Sequence, residues 1–301
     1  MAAAPTGFLR QNEEGKMVVE NTVTMLPRYP VEGVCRLCGE LANLTKEHIP
    51  PKSSGNKFRH TNLTFEDWLN DRWGNASSNN GPVEQGGIFG YTLCKCCNSI
   101  TGKLYGSEYM SWVSRAKALL GSYGPGAISQ LNSTPGPFGE NINFSSNGPE
   151  DAVKPGAFVR QILSCMCSLS GTWNLAGRYP AIRRIILEQA TESLPAGMEL
   201  GMYLYVGPKV RIVGPQLLID MKTKTWRWVE EIAYPPYAFQ FVIASNSPNP
   251  GMGLLIDPFT SVSPDAKMQF SGVIELGFGW SPYPGDYRSK AAIIAGRAKL
   301  T

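Results

Sequence analysis

Four cysteines in two pairs are the residues of this chain whose types and spacing most clearly predict chemistry. Cys35 and Cys38 form one Cys-x-x-Cys pair, and Cys94 and Cys97 form the second. A Cys-x-x-Cys turn lets two sulfur atoms reach the same ion, and zinc prefers a tetrahedron of four thiolates. We therefore predict a closed, structural Zn²⁺ site with these four ligands. Cys96 is then a spare thiol that points away from the ion.

The segment between the two pairs contains an acidic residue followed by a histidine, Glu47 and His48. The pairs are separated by far more than the roughly 15 to 20 residues of an ordinary zinc ribbon. An additional element is therefore inserted between them. A lone histidine is more often structural, but an imidazole can also accept a proton near neutral pH. Because His48 follows an acid inside the zinc-closed loop, it is our candidate general base.

Short secondary-structure elements are predicted to position these residues. The pattern predicts a strand that ends at His48, a loop from Pro50-Pro51 onward, a second strand over 88–93 and a helix after Asn98. Proline disfavours both helix and central strand, which supports the loop. The helix is predicted by apolar residues at spacings of three and four, namely Leu104, Tyr105, Tyr109, Trp112, Val113, Ala116, Leu119 and Leu120.

Composition limits the classes of protein that the chain can belong to. Of its 301 residues, 43% are hydrophobic and 17% are charged, which is typical of a folded protein with a sizeable core. The net charge of +4 is compatible with nucleic-acid binding but does not indicate it. No secretory signal or apolar membrane-spanning stretch is visible. We therefore expect a cytoplasmic protein that does not bind membranes. An odd cysteine count of 7 in such a reducing compartment favours metal ligands or free thiols over disulfides.

The remaining sequence predicts an α+β fold with more than one domain. Residues 1–33 are polar and irregular and are predicted to form an N-terminal arm. Residues 34–121 contain the cysteine pairs, and 122–154 are rich in Gly, Pro, Ser and Asn, which is typical of a linker or irregular connection. Residues 155–301 are predicted to begin with two helices and to continue as an antiparallel sheet of short strands.

The motifs together resemble the HNH endonucleases of the ββα-metal fold, in their zinc-knuckle subgroup. The resemblance covers roughly residues 34–121. Its order is Cys-x-x-Cys, then an acidic residue with His-Ile-x-Pro, then Leu-Cys-x-x-Cys-Asn. The matching residues are Cys35, Cys38, Glu47, His48, Ile49, Pro51, Leu93, Cys94, Cys97 and Asn98.

The resemblance implies a role for each matching polar residue. His48 would activate water as a general base. Glu47 and Asn98 would hold one divalent ion, Mg²⁺ or Mn²⁺, which prefers oxygen ligands. That ion would stabilise the transition state and the leaving group of phosphodiester hydrolysis.

The sequence departs from the family pattern at two positions. Many family members have an asparagine that orients the histidine five residues before the second cysteine pair, where this chain has Phe89. Asn62 is our best substitute, with Asn79 and Asn80 as further candidates. The last metal ligand of the family is often histidine, where this chain has Asn98.

The loop that follows His48 contains further polar residues whose roles stay open. His60 is either a second metal or phosphate ligand or a solvated loop residue. Four basic side chains crowd the same loop and either contact phosphates or form a solvated face. They are Lys46, Lys52, Lys57 and Arg59.

The predicted function is therefore that of a metal-dependent endonuclease acting on DNA. The C-terminal α+β domain would recognise DNA, a protein partner or a small activating ligand. By analogy, such proteins serve restriction, phage defence or mobile elements. The alternative is a non-catalytic zinc module, in which the cysteine pairs only support a nucleic-acid- or protein-binding surface.

Overall fold

The computed structural model describes residues 9–11, 17–19, 26–27, 29–57, 60–61, 83–84, 86–133, 141–145, 151–205, 211–220, 225–244 and 253–275. The strands are β1 Leu9–Gln11, β2 Met17–Val19, β3 Glu32–Val34, β4 Leu41–His48, β5 His60–Thr61, β6 Val83–Glu84, β7 Phe89–Cys94, β8 Asn141–Ser145, β9 Met198–Leu204, β10 Arg211–Asp220, β11 Thr225–Tyr234, β12 Tyr237–Ala244, β13 Leu254–Leu255 and β14 Ser271–Glu275. The helices are α1 Lys95–Ser133, α2 Pro155–Leu169, α3 Leu175–Arg178 and α4 Pro180–Leu187, with 3₁₀ turns at Lys52–Ser54, Gly171–Trp173 and Asp257–Ser261.

Two antiparallel sheets determine the architecture. A three-stranded sheet in the order β3-β4-β7 carries the cysteine pairs, and a five-stranded sheet in the order β10-β11-β12-β9-β13 forms the C-terminal part. The pairs β1-β2, β5-β6 and β14-β8 form separate two-stranded sheets. The α+β class and the antiparallel sheet are therefore confirmed. None of the helices in the described ranges combines the length and apolarity that crossing a bilayer requires.

The bounds of several elements differ from the prediction. Helix α1 continues to Ser133, through the first part of the segment 122–154 that was predicted to be irregular. The predicted strands 210–213 and 217–221 are one strand, β10, with a register shift between Val213 and Gln216. The last predicted strand, 270–278, is present as β14, Ser271–Glu275, which pairs with β8 and lies outside the five-stranded sheet. Helix α1 also begins at Lys95, so Asn98 lies within its first turn rather than before it.

The described parts of the predicted nuclease and C-terminal domains share one hydrophobic cluster, which extends from Cys35 to Ile274. Trp112 of α1 stacks on Phe158 of α2, with ring centroids 4.2 Å apart and planes within 8°. Tyr237 of β12 donates a hydrogen bond of 2.8 Å to the Trp112 carbonyl. Buried aromatic contacts of this kind dominate core energetics. The division into two domains stays a prediction, and the cysteine-bearing part is packed firmly against the rest.

Helix α2 is held by a buried arginine. Arg160 is fully buried and donates to five backbone carbonyls, with donor–acceptor distances of 2.7 to 3.1 Å. Those carbonyls belong to Gly156, Ile185, Ala190, Thr260 and Val262. The guanidinium group has five N–H donors in a rigid planar arrangement. This set of bonds fixes the rotation of α2 about its own axis.

A second buried ionisable group, Glu230 of β11, has no such partners. Its side chain is 1% exposed, and neither carboxyl oxygen has a hydrogen-bond partner among the described residues. Burial raises the pKa of Glu230 well above its usual value of 4.5, although the positive charge of Arg36 opposes the shift. The folded protein therefore holds this carboxyl group in its neutral form under conditions in which the unfolded chain ionises it.

We predict that Glu230→Gln removes a pH-dependent loss of stability. Above pH 4.5, unfolding of the wild type releases the Glu230 proton, so its free energy of unfolding falls as pH rises towards the folded-state pKa. The glutamine cannot titrate, so the variant should gain on the wild type by up to about 1.4 kcal/mol per pH unit. Urea unfolding of both proteins between about pH 5 and pH 8 measures the difference. A difference that does not change with pH would contradict the prediction.

Candidate functional site

The four predicted zinc ligands lie together between the turn that joins β3 to β4 and the start of α1. The sulfur atoms of Cys35, Cys38, Cys94 and Cys97 all lie within 4.8 Å of one another. Cys38 Sγ and Cys94 Sγ are 3.9 Å apart, and tetrahedral zinc with Zn–S bonds of about 2.3 Å requires about 3.8 Å. The cluster could therefore hold a metal ion such as zinc. Cys96 is exposed and lies outside the cluster, as the spacing predicted.

Hydrogen bonds and charge make this cluster suited to a cation. The Cys94 amide donates to Cys35 Sγ at 3.3 Å, and the Cys97 amide donates to Cys94 Sγ at 3.4 Å. The Cys97 side chain, together with nearby backbone amides, lowers the pKa of Cys35 to about 4, against the effect of burial. The same contact with Cys35 raises the pKa of Cys97. Once Cys35 is ionised, its negative charge disfavours ionisation of the neighbouring Cys97. A bound cation would stabilise all four groups as thiolates.

The sheet that carries the cluster also carries the catalytic candidates at its other end. Strands β4 and β7 pair from Leu44 opposite Cys94 to His48 opposite Phe89, with a register shift between Thr45 and Lys46. Irregularities of this type bend a strand and re-aim its side chains, and they are frequent near active sites. The cysteine cluster and the bulge together determine where His48 lies.

Asn98 is tied to this bulge through its amide nitrogen. Asn98 Nδ2 donates to Thr45 Oγ1 at 2.9 Å and to the Lys46 carbonyl at 3.1 Å. Thr45 Oγ1 in turn donates to the Leu93 carbonyl at 2.9 Å. Because the amide nitrogen makes both bonds to β4, the Asn98 Oδ1 atom is not used in holding the side chain to that strand. An orientation of this kind keeps an oxygen ligand available for a hard cation.

Among the described residues, the group that orients His48 is a backbone carbonyl. His48 Nε2 lies 3.0 Å from the Gly86 carbonyl oxygen. A carbonyl only accepts, so Nε2 carries the proton and Nδ1 has the free lone pair. Partial burial lowers the pKa of His48, and the charges of Lys46 and Lys52 add to this, whereas the bond to Gly86 opposes it. The ring is therefore neutral at neutral pH and able to accept a proton.

Phe89, at the position where the family pattern has an asparagine, packs against the histidine ring. The centroids of the His48 and Phe89 rings are 5.7 Å apart. The Lys46 Nζ atom lies 3.6 Å from the centroid of the Phe89 ring. Phe89 therefore restricts the position of the imidazole by contact, and its ring face holds the Lys46 ammonium group nearby.

Sequence reasoning missed a buried asparagine that supports this arrangement. Asn56 is fully buried, and its Oδ1 accepts from the Ile88 amide at 2.7 Å. Its Nδ2 donates to the carbonyls of Pro50 and Ile88 at 2.7 and 2.9 Å. Asn56 thereby joins the loop that leaves His48 to the segment that supplies the Gly86 carbonyl. Gly87 lies at φ +83°, and a Cβ there would come within 2.2 Å of the Asn56 carbonyl oxygen, so only glycine fits.

Glu47, His48 and Asn98 line one cavity of about 440 Å³. Lys46 and Lys52 also line it. Glu47 is buried, and its Oε2 atom has no hydrogen-bond partner among the described residues. Burial raises the pKa of Glu47 to about 8, and the nearby Cys35 contributes. Without a cation the group is therefore mostly protonated at neutral pH, and a bound cation would stabilise its ionised form. The cavity thus combines a proton acceptor with oxygen atoms suited to a divalent ion.

The other predicted site residues are placed as follows. Asn62, Asn79, Asn80 and Arg59 lie outside the described residues. The backbone of His60 belongs to β5, and its side chain lies outside the described part of the chain, so its role stays open. Lys57 is exposed. The role predicted for Asn62 stays a prediction, and among the described residues the Gly86 carbonyl contacts His48 and Asn56 supports the segment that carries it.

No family model, curated protein or solved structure matches the chain.

We predict that Cys38→Ser loses the zinc and that Cys96→Ser keeps it. The wild type should carry about one zinc ion per chain, because four thiolates complete a tetrahedral shell. Loss of a structural zinc removes folding free energy, so Cys38→Ser should also melt lower by roughly 10 °C or more. Metal analysis of the purified proteins and thermal unfolding check both effects. Purified wild type without zinc, or equal zinc content in both variants, would contradict the prediction.

Proposed function

We propose that this chain is a metal-dependent endonuclease of the HNH type that hydrolyses phosphodiester bonds of DNA in the cavity beside His48. The observation that supports this most strongly is the meeting of three groups in that cavity. Its lining includes His48, Glu47 and Asn98. His48 Nε2 is engaged by the Gly86 carbonyl, which leaves Nδ1 to accept a proton, and Asn98 Nδ2 bonds to β4, which leaves Oδ1 for a cation. Glu47 Oε2 has no hydrogen-bond partner among the described residues. A purely structural module would need none of them in these states.

In the proposed reaction, His48 Nδ1 accepts a proton from a water molecule as the water oxygen forms a bond to phosphorus. The bond between phosphorus and the leaving 3′ oxygen breaks, and that oxygen takes a proton from solvent. The hydrogen bond from Nε2 to the Gly86 carbonyl, at 3.0 Å, becomes stronger when the ring gains positive charge. This bond therefore both orients the base and stabilises its protonated form.

Glu47 and Asn98 fit a Mg²⁺ or Mn²⁺ ion, because both offer oxygen atoms and Glu47 Oε2 has no hydrogen-bond partner among the described residues. Such an ion, when bound, stabilises negative charge on the phosphate and the leaving oxygen. The Lys46 and Lys52 side chains on the cavity wall would hold the flanking phosphates, and these contacts would position the substrate without reading its sequence.

In the same proposal the four-cysteine cluster holds a structural zinc, because it leaves no open position for a substrate. All seven cysteines are free, which fits a reducing compartment such as the cytoplasm. The C-terminal sheet would bind DNA, a partner protein or a small activating ligand. A role in restriction, phage defence or a mobile element is consistent with this activity.

We predict that the purified protein nicks plasmid DNA with Mg²⁺ or Mn²⁺ and that His48→Ala lowers the rate by at least about 100-fold. General-base catalysis is typically worth a factor of about 10² to 10⁴. Added imidazole should restore part of the rate to His48→Ala, because the substitution opens a space at the cavity wall. Conversion of supercoiled to open-circular plasmid measures the rate.

Ser53→Ala is the matched control, since Ser53 lines the same cavity with an exposed side chain and has no proposed role. This variant should cleave at the wild-type rate. Equal cleavage by the wild type and His48→Ala under each metal would identify a contaminating nuclease and would overturn the proposed activity.

A further inference from the structure

The cavity beside His48 has a wall that belongs to the C-terminal part of the chain. Gln161 of α2 lines the cavity together with Glu47 and Asn98. Its side chain is 2% exposed. Gln161 Nε2 contacts Cys165 Sγ at 3.8 Å, whereas Gln161 Oε1 has no hydrogen-bond partner among the described residues. The nitrogen of this amide is therefore engaged along α2, and the oxygen is left without a donor.

Gln161 Oε1 faces α1 across the cavity. It lies 4.0 Å from the position that a Cβ would occupy at Gly106, another cavity residue. At Gly102, one turn earlier on α1, nothing lies within 4 Å of the corresponding position. The two glycines leave that face of α1 bare. Neither glycine therefore places a side chain between α1 and the buried Gln161 oxygen.

The orientation of Gln161 is imposed by the packing of α2. The neighbouring Arg160 uses all of its donors on five backbone carbonyls and so fixes the rotation of the helix. Glu47 and Gln161 line the same cavity, so this part of α2 lies near the end of β4. Two residues of this lining, Glu47 and Gln161, thus each have a buried acceptor, Oε2 and Oε1, with no donor among the described residues.

Buried acceptors without donors are rare in folded proteins, and each one calls for an explanation such as a bound ion or a bound donor. A water-sized donor would satisfy one of these oxygens. A hydrated divalent cation satisfies several at once, because hard cations collect oxygen ligands from carboxylates, side-chain amides and water. The shared chemistry of Glu47, Asn98 and Gln161 is that each presents such an oxygen.

Taking the ion site of the proposed function as given, we propose that the Gln161 amide oxygen is a third protein oxygen of the divalent-cation site. Glu47 and Asn98 supply the other two from the β4-β7-α1 unit. Gln161 is then a ligand of the cation, and α2 helps to place the ion. The C-terminal part of the chain completes the ion site in this arrangement, so a change in the packing of α2 alters cation affinity.

The test is Mn²⁺ binding to the zinc-loaded full chain without nucleic acid, measured by electron paramagnetic resonance of the free ion. Gln161→Met keeps the size of the side chain but removes the oxygen, and it should weaken Mn²⁺ binding by about tenfold. Gln161→Glu adds a negative charge to the same oxygen position and should tighten binding several-fold. The two variants should therefore change Mn²⁺ affinity in opposite directions. If the amide were only structural, both substitutions would disturb the fold and both would lower the affinity.

The controls separate the failure of this proposal from the failure of the ion site. Ser164→Ala removes a buried α2 hydroxyl that does not line the cavity and should bind Mn²⁺ within about twofold of the wild type. Glu47→Gln should lose most of the binding. Equal affinity of both Gln161 variants and the wild type, or weaker binding by both, would overturn the role of Gln161 and leave the ion site intact.

Absence of Mn²⁺ binding by the wild type, or binding that does not depend on Glu47, would overturn the ion site and the role of Gln161 together. Each variant is compared only after thermal unfolding shows a cooperative transition. If Gln161→Met does not fold, Gln161→Asn replaces it, because the shorter side chain withdraws the amide oxygen by about one C–C bond. It should also weaken Mn²⁺ binding, and wild-type affinity in this variant would count against the proposal.

Discussion

The contact among four sulfur atoms is the constraint on which the rest of the site depends. It joins Cys35 and Cys38, in the turn before β4, to Cys94 and Cys97, where β7 meets α1. A one-residue slip between paired strands would turn every side chain to the opposite face. With Cys94 held opposite Leu44, the register carries His48 to Phe89 at the far end of the same pair. A structural cluster at one end of the sheet therefore sets the position of the proposed base at the other.

The second constraint is the packing of α2 against α1. The stacked rings of Trp112 and Phe158, 4.2 Å apart, join the two helices inside one hydrophobic cluster. Interiors are packed as densely as organic crystals, so a wall formed this way has little freedom to move. The cavity is thus lined by two units with different origins in the sequence. The β4-β7-α1 unit supplies Glu47, His48 and Asn98, and the C-terminal part supplies Gln161.

The features that could be predicted from sequence are the local ones. Cysteine spacing identified the four clustered thiols, and the period of apolar residues identified α1 and α2. Asn56 and Gln161 could not be identified, because both act through contacts with distant segments. The Gly86 carbonyl leaves no signal, since every residue has a carbonyl group. Glycine and proline penalties of about 1 and 3 kcal/mol predicted an early end for α1, and nothing in the described side chains explains its continuation to Ser133.

In the proposed function, the two acceptors that have no donor among the described residues favour a cation-binding cavity over a purely structural one. Leaving a buried polar atom without a partner costs about 1 to 3 kcal/mol, which is a large fraction of a typical folding free energy. A module that used its cysteine pairs only as a scaffold would gain stability from apolar residues at both positions, because matched apolar replacement of buried polar groups is often neutral or favourable. The chain instead keeps Glu47 Oε2 and Gln161 Oε1 without donors beside a neutral, oriented imidazole. That cost is offset when a cation occupies the space between them, and the same cation is what the proposed hydrolysis requires.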